Sequence, residues 1–132
     1  MARESILAGS HVISFAPTTD PAKARAFYEG ILGLGLVADE QPFALVFDAN
    51  GIMLRVTTVH DLKPQPFTIL GWRVADIEST TDRLAAAGVE FLRFSGMNDS
   101  DPRGIWNSPS GARIAWFKDL DGNVLSLTEF AK

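Results

Sequence analysis

One residue of this sequence stands where a charged group could bind a ligand: Arg55, inside the apolar run GIMLRV. In a strand, Arg55 shares a face with Met53 and Thr57, while the apolar residues at 52, 54 and 56 take the other face. A guanidinium that points into a protein interior is costly unless an anionic or hydrogen-bonding group meets it. Arg55 therefore predicts either a bound ligand with oxygen atoms or an ion pair with a carboxylate such as Asp48 or Glu129.

The other residue types that commonly catalyse reactions form no familiar pattern. The sequence has no cysteine and two histidines, of which His60 lies in the proline-containing stretch VHDLKPQP. There is no Gly-x-Ser-x-Gly elbow for a nucleophile and no glycine-rich phosphate loop that ends in Lys-Ser/Thr. Glu29, Asp48 and Glu129 are available for acid–base chemistry, which stays open because nothing in their spacing places two of them together.

Composition narrows the kind of protein and its partners. With 132 residues, of which 46% are hydrophobic and 21% charged, the chain is long enough for one domain with a sizeable core. Its net charge of -4 and the lack of a Lys/Arg run argue against nucleic acid as a partner. No segment approaches the roughly 18 uninterrupted apolar residues that a membrane span needs. The sequence therefore predicts a cytoplasmic globular protein, with neither nucleic acid nor membrane as a partner.

The chain repeats one pattern. DANGIMLRV begins at Asp48 and DLDGNVLSL begins at Asp119, and each reads as an Asp/Gly turn that opens onto a strand. Asp20 and Asp76 each follow a strand-like run and precede helical spacing, as N-cap residues do. Because these landmarks recur in the same order, we interpret the single domain 1–132 as two modules, about 9–59 and 66–130, joined by the linker 60–65.

Each module reads as a strand, a helix and three further strands. The first helix is expected from Pro21 to a stop at Gly33, and the second from Ile77 to a stop at Gly88. The strands that follow are LGLVA, PFALVFD and GIMLRVTTV in the first module, and VEFLRF, ARIAWFKD and GNVLSLTEF in the second. A long loop over residues 95–111 of the second module has a length that is typical of functional or mobile loops.

The segments FYEGILGLGL and AWFKDLDGNVLSLTEF resemble the vicinal oxygen chelate superfamily, which includes glyoxalase I, the bleomycin resistance proteins and the extradiol dioxygenases. The resemblance extends from about His11 to Glu129. It implies an α+β fold in which two tandem βαβββ modules form a curved mixed sheet. This sheet makes a cup around a binding cavity, commonly in a homodimer. Members that use a divalent metal hold it with four side chains, one on the first and one on the last strand of each module.

The four positions that correspond to those metal ligands carry no suitable donors in this sequence. The first-strand positions are Ile13 and Ile69, and the last-strand positions are Arg55 and Ser126. Isoleucine cannot bind a divalent ion, arginine repels one, and a single serine is a poor ligand. No cofactor is therefore predicted, unless the chain is a metal-dependent enzyme of this superfamily.

The resemblance and the strand parity together predict which side chains face the cup. Trp106, in the long loop, either packs on the rim or closes over a ligand, since its indole offers a broad face to planar molecules. Trp72 has the parity of the core, and Trp116 could face either side. His11 could donate a hydrogen bond to a ligand or, in a shifted register, bind a metal. The predicted ligand-binding residues are His11, Ile13, Phe15, Met53, Arg55, Thr57, Phe67, Ile69, Trp106 and Ser126, with no catalytic or metal-binding residue assigned.

These observations predict metal-independent binding of a small apolar or aromatic molecule in the cup, as in bleomycin resistance proteins. Arg55 would anchor an oxygen function of that molecule, because a guanidinium can donate two parallel hydrogen bonds. The alternative is a glyoxalase-type lyase, isomerase or dioxygenase that uses a divalent metal. Whether the chain is an enzyme stays open, because the superfamily contains both kinds of protein.

Overall fold

A computed structural model of the chain describes residues 5–132 and shows an α+β fold with two four-stranded mixed sheets. Each sheet is built by one βαβββ module, which confirms the predicted fold class. The first four residues of the predicted domain lie outside the described part. Among the described residues, no helix is long and apolar enough to cross a membrane.

The first module carries one strand before its helix and three after it. Its elements are β1 (Ile13–Thr18), α1 (Pro21–Arg25), a π-helical continuation of α1 (Ala26–Ile31), β2 (Gly35–Glu40), β3 (Ala44–Ala49) and β4 (Ile52–Thr58). The strands lie in the order β1-β4-β3-β2, with β1 parallel to β4. The helix begins where the sequence predicts, because Asp20 Oδ1 accepts the backbone N–H of Lys23 at 3.2 Å and Pro21 takes the first position.

The second module repeats this arrangement. Its elements are β5 (Thr68–Arg73), α2 (Ile77–Ala86), β6 (Trp106–Asn107), β7 (Arg113–Lys118) and β8 (Val124–Glu129). The strands lie in the order β5-β8-β7-β6, with β5 parallel to β8. Asp76 Oδ1 accepts the backbone N–H of Ser79 at 3.1 Å, so this helix also begins at the predicted N-cap.

One predicted strand is wrong. VEFLRF, at residues 89–94, contributes only an isolated bridge between Phe91 and Phe117 and one hydrogen bond from the Leu92 N–H. The side-chain amide of Asn98 binds the backbone C=O of Leu92 and the N–H of Phe94, so these groups are satisfied without a neighbouring strand. The outer position of the second sheet is taken instead by β6, inside the predicted loop.

The two modules share one hydrophobic core. Leu54 and Val56 of the first module and Leu125 and Leu127 of the second belong to the same buried cluster. Strands β1 and β5, which are the edge strands of their sheets, also contact each other. The modules therefore pair within the chain, and each sheet has one face on the core and one face that points away from it. We call the face that points away from the core the open face.

Candidate functional site

The open face of the first sheet is apolar and exposed around Arg55. Strand alternation buries Leu54 and Val56 completely, whereas Met53 is 40%, Ile13 47% and Phe15 58% exposed. Phe15 is the direct cross-strand neighbour of Arg55, and Ile13 is that of Met53. The structure thus brings together five of the predicted ligand-binding residues on one surface, which are Ile13, Phe15, Met53, Arg55 and Thr57.

Arg55 forms an ion pair on this face, with a partner that the sequence did not indicate. Its Nη2 donates to Oε1 of Glu40 at 3.0 Å. Asp48 instead accepts the N–H of Gly51 in the β3–β4 turn. Glu129 accepts the N–H of Ile77 at the start of α2, so neither predicted carboxylate meets Arg55. The register brings Arg55 and Glu40 together, because β4 and β2 lie on either side of β3.

The ion pair between Arg55 and Glu40 crosses β3 above two small side chains. Val46 is the cross-strand neighbour of Arg55, and Ala44 is that of Glu40. Both are almost fully buried, at 3% and 2% exposure, although they lie on the open face. Both charged side chains are themselves partly exposed, and such pairs contribute only about 0–1 kcal/mol to stability. An anion that approaches Arg55 therefore has a weak competitor to displace.

The open face of the second sheet carries an aromatic row, which we define as Phe94, Trp116 and Trp106. Trp116 lies edge-on to Phe94, with ring centroids 5.4 Å apart. It also lies tilted against Trp106, with centroids 6.1 Å apart. Such offset and edge-to-face arrangements are the favourable ones for aromatic rings. Trp116, which could have faced either side, thus faces away from the core and beside the predicted ligand residue Trp106.

Ser126 sits between this row and a glycine. Its cross-strand neighbours are Trp116 on β7 and Gly71 on β5. A Cβ atom at Gly71 would lie 2.6 Å from the Ser126 Oγ, which is closer than real Cβ atoms come. A side chain at position 71 would therefore collide with Ser126, and glycine leaves room for the hydroxyl on the open face.

The segment that precedes Trp106 is held together by its own hydrogen bonds. Asn98 is 1% exposed, and its Nδ2 donates to the C=O of Leu92 at 2.9 Å and of Gly104 at 2.6 Å. Asp101 Oδ2 accepts the N–H groups of Arg103 and Ile105, each at 2.9 Å. These bonds fix the chain just before Trp106, which then pairs with Ile114 as part of β6. Trp106 is therefore on an edge strand, not in a free loop.

Three predicted residues lie apart from these surfaces or at their margins. Ile69 falls where the β5 register is irregular, and its side chain packs against the core instead of the open face. His11 and Phe67 are exposed, each just before the first strand of its module. Trp72 packs against the core as its parity predicts.

Four residues at the site or beside it were not indicated by the sequence. Glu40 and Gly71 depend on cross-strand neighbours, and a single sequence does not give the register between strands. Asn98 and Asp101 lie in a polar, glycine-containing segment, where such residues usually serve local turns. The available signal was Trp106 within this long segment, because a large aromatic side chain usually packs against another part of the protein.

The residues present do not fit the metal site of the superfamily. The positions of Ile13, Ile69, Arg55 and Ser126 offer one hydroxyl oxygen and no carboxylate or imidazole. Within residues 5–132, no three or more His, Cys, Asp or Glu side chains are grouped closely enough to hold a metal ion.

The fold and the two open faces define a protein of the glyoxalase-like class, with paired βαβββ modules. The family profile described as the Glyoxalase/Bleomycin resistance protein/Dioxygenase superfamily matches residues 10–127. The chain belongs to this superfamily. A comparison with curated proteins found no match.

Solved structures with the same fold include proteins of different activity. TnmS3, an antibiotic binding protein from a Streptomyces species, is 27% identical, with a TM-score of 0.69 over 95% of this chain and 99% of that chain. A fosfomycin resistance protein from Listeria monocytogenes is 16% identical, with a TM-score of 0.73 over 93% and 94% of the two chains. Lactoylglutathione lyase from Agrobacterium tumefaciens is also 16% identical, with a TM-score of 0.71 over 92% and 95%. The last two similarities show the fold alone.

Proposed function

We propose that this chain binds a small, mostly apolar or aromatic molecule that carries an acidic oxygen group, without using a metal. The observation that carries the proposal is Arg55, a guanidinium on an exposed apolar face at a position where metal-using relatives have a ligand. The similarity to TnmS3, an antibiotic binding protein, supports binding as the activity. Sequestration of the ligand, and not its conversion, is the function proposed.

The apolar part of such a ligand would contact the exposed side chains around Arg55. Phe15 and Met53 are already on the same face, and removing their apolar surface from water is worth about 25 cal/mol per Å². A ligand that covers them also covers the guanidinium, and this desolvation strengthens the bond between Arg55 and a carboxylate.

Glu40 would act as the competitor of the ligand. In the free protein it occupies one N–H group of Arg55 and leaves the other donors of the guanidinium available. A planar carboxylate can accept two parallel hydrogen bonds from such a group, whereas Glu40 accepts one. Ligand binding would therefore exchange a weak surface pair for a stronger, covered one.

We further propose that the chain forms a homodimer in which the second copy covers the open face of the first sheet, around Arg55. In the single chain this face is a surface, because its apolar residues are exposed. Small-molecule sites usually bury most of the ligand, so a surface of this kind needs a cover.

Two variants at the ion pair test the proposal in opposite directions. The probe is naphthalene-2-carboxylate, a planar aromatic acid, followed by isothermal titration and by quenching of tryptophan fluorescence. Arg55→Ala should weaken binding roughly 10–100-fold, the loss expected for a hydrogen bond to a charged group. Glu40→Gln should strengthen binding by up to about fivefold, because it removes the competing charge of a surface pair.

Matched controls separate the role of Arg55 from a general effect of charge. Naphthalene-2-carboxamide has the same ring system without the charge, and its affinity should change little in either variant. Arg25→Ala removes another ion-paired arginine, one bonded to Glu29 and Asp39, and should leave carboxylate binding unchanged. Equal affinity of Arg55→Ala and the wild type for the carboxylate would remove Arg55 from the site.

A further inference from the structure

A cavity that is open to solvent lies between the linker and the end of the second sheet. This cavity has a volume of about 290 Å³ and is lined by linker residues on one side and by the second module on the other. Its apolar lining consists of Pro64, Pro66, Leu92, Phe94 and Val124. Its volume is just below the usual range for small-molecule sites, about 300–1,000 Å³, which suits a small ligand.

The linker is exposed to solvent, as its composition suggests, but it comes close to the second module at one point. A Cβ atom at Gly122, in the β7–β8 turn, would lie 3.2 Å from Cγ of Pro64. Gly122 also has a φ of +91°, a conformation that favours glycine, so the turn and the linker fit together. Pro64 in the linker and Pro66 directly after it restrict this backbone further. The apolar wall of the cavity is therefore preformed.

The charge of the cavity is opposite to that of the protein. Arg93 and Lys118 line it and no carboxylate does, whereas the whole chain has a net charge of -4. Arg93 is occupied, because its guanidinium donates to the carbonyls of Asn98, Asp101 and Pro102. Lys118, at the end of β7, has no carboxylate within 4.0 Å among residues 5–132. Its ammonium group is thus the cation left for a ligand.

We propose that this cavity is a second binding site, for a small apolar acid whose anionic group is held by Lys118. The apolar body of the acid lies between Pro64, Pro66 and Phe94, and its charge meets the ammonium group of Lys118. This inference goes beyond the proposed function and does not depend on Arg55, since none of the residues of the Arg55 face lines the cavity. Phe94 also belongs to the aromatic row of the second sheet, where its ring is nearly perpendicular to that of Trp116.

A matched pair of fluorescent probes tests the second site. 8-Anilinonaphthalene-1-sulfonate carries an anion, and N-phenyl-1-naphthylamine has the same aromatic system without it. Lys118→Met keeps the length of the side chain and removes its charge, so it should weaken binding of the sulfonate roughly tenfold and leave the neutral amine unchanged. Lys23→Met, on the exposed side of α1, is the control and should change neither affinity.

The location of the probe is read from backbone amide shifts in ¹⁵N–¹H spectra. The sulfonate should shift the amides of Leu92, Phe94, Gly122 and Val124, and it should still shift them in Arg55→Ala. Wild-type affinity of Lys118→Met for the sulfonate would overturn the proposal, as would shifts confined to Met53 and Arg55. Because Arg55→Ala and Lys118→Met report on different surfaces, failure of one site is distinguishable from failure of the other.

Discussion

At the scale of single residues, the best-defined polar contact joins the two modules through Tyr28 and Asp119. The Tyr28 hydroxyl donates to Asp119 Oδ2 at 2.7 Å, and the side chain of Asn123 donates to the same oxygen at 2.8 Å. Tyr28 is almost completely buried. Burial, and then the neighbouring carboxylate of Asp119, raise the pKa of the Tyr28 phenol well above its ordinary value near 10. The phenol is therefore held in its neutral, donating form.

A raised pKa predicts how stability depends on pH. The neutral phenol contributes its full stabilisation below pH 10, the ordinary pKa of tyrosine, and this contribution is lost progressively as the pH rises above it. Tyr28→Phe should lower the free energy of unfolding at pH 7 by about 1–3 kcal/mol, because a buried carboxylate loses a donor. Urea unfolding of both proteins at pH 7, 9 and 10.5 measures the difference.

The same unfolding measurements also show which result would contradict the predicted titration of Tyr28. Wild type and Tyr28→Phe should converge above pH 10, because only the wild type loses the stabilisation of a neutral phenol at this position. A difference in unfolding free energy that is constant from pH 7 to 10.5 would show that the Tyr28 phenol does not titrate differently in the folded and unfolded states.

At the scale of elements, the segment that precedes β6 is held in place by polar side chains. Asn98 satisfies backbone groups at Leu92, Phe94 and Gly104, and the guanidinium of Arg93 donates to three carbonyls of the same segment. Buried polar groups of this kind stabilise a structure only when every partner is present. This element therefore fixes Trp106 against Trp116 before any ligand arrives.

Removal of the Asn98 amide should loosen this element. Asn98→Ala leaves buried backbone groups without partners and should cost about 1–3 kcal/mol of unfolding free energy. Near-ultraviolet circular dichroism should lose the signal of the Trp106–Trp116 contact, and amide exchange should rise over residues 92–107. Asp99→Ala, at the exposed neighbouring position, is the control and should change neither measurement. An unchanged tryptophan signal in Asn98→Ala would show that β6 holds Trp106 without Asn98.

At the scale of the whole molecule, the apolar open face of the first sheet is exposed to solvent in a single chain. Ile13 and Phe15 on β1 are the cross-strand neighbours of Met53 and Arg55 on β4. All four side chains lie on the face that points away from the common core. Apolar residues grouped on one exposed face commonly mark an interface or a binding site. The homodimer proposed above would cover this face and the ligand together.

Sedimentation velocity tests the dimer directly. One chain has a mass of 14.3 kDa, and the wild type should sediment with about twice this mass. Phe15→Glu places a carboxylate beside Arg55 in the middle of the open face and should shift the equilibrium to the monomer, because a dimer would then bury two charged groups, which is costly even when they are paired. Phe43→Glu, at the exposed turn between β2 and β3, should remain dimeric. A wild type that sediments as a monomer at all concentrations would contradict the proposed dimer.

Local patterns in the sequence were sufficient for the fold. The two aspartate N-caps, the Asp/Gly turns and the alternation of β1 and β4 are each set by residues within a few positions of one another, so a single sequence contains them. The same holds for the missing metal donors, since residue type alone decides that isoleucine and arginine cannot hold a divalent ion. The predicted strand at 89–94 failed because the side-chain amide of Asn98, a few residues further on, satisfies its backbone groups, and strand-like composition does not reveal this bond.

Only the tertiary structure decided which distant residues meet. The pairing of Arg55 with Glu40, the aromatic row, the hydroxyl of Ser126 over Gly71 and the linker cavity all depend on strand register or on packing between segments far apart in the chain. Sequence spacing fixes the face on which a side chain lies, because a strand alternates strictly. It does not fix the neighbour on the next strand, because a shift in register changes every cross-strand partner.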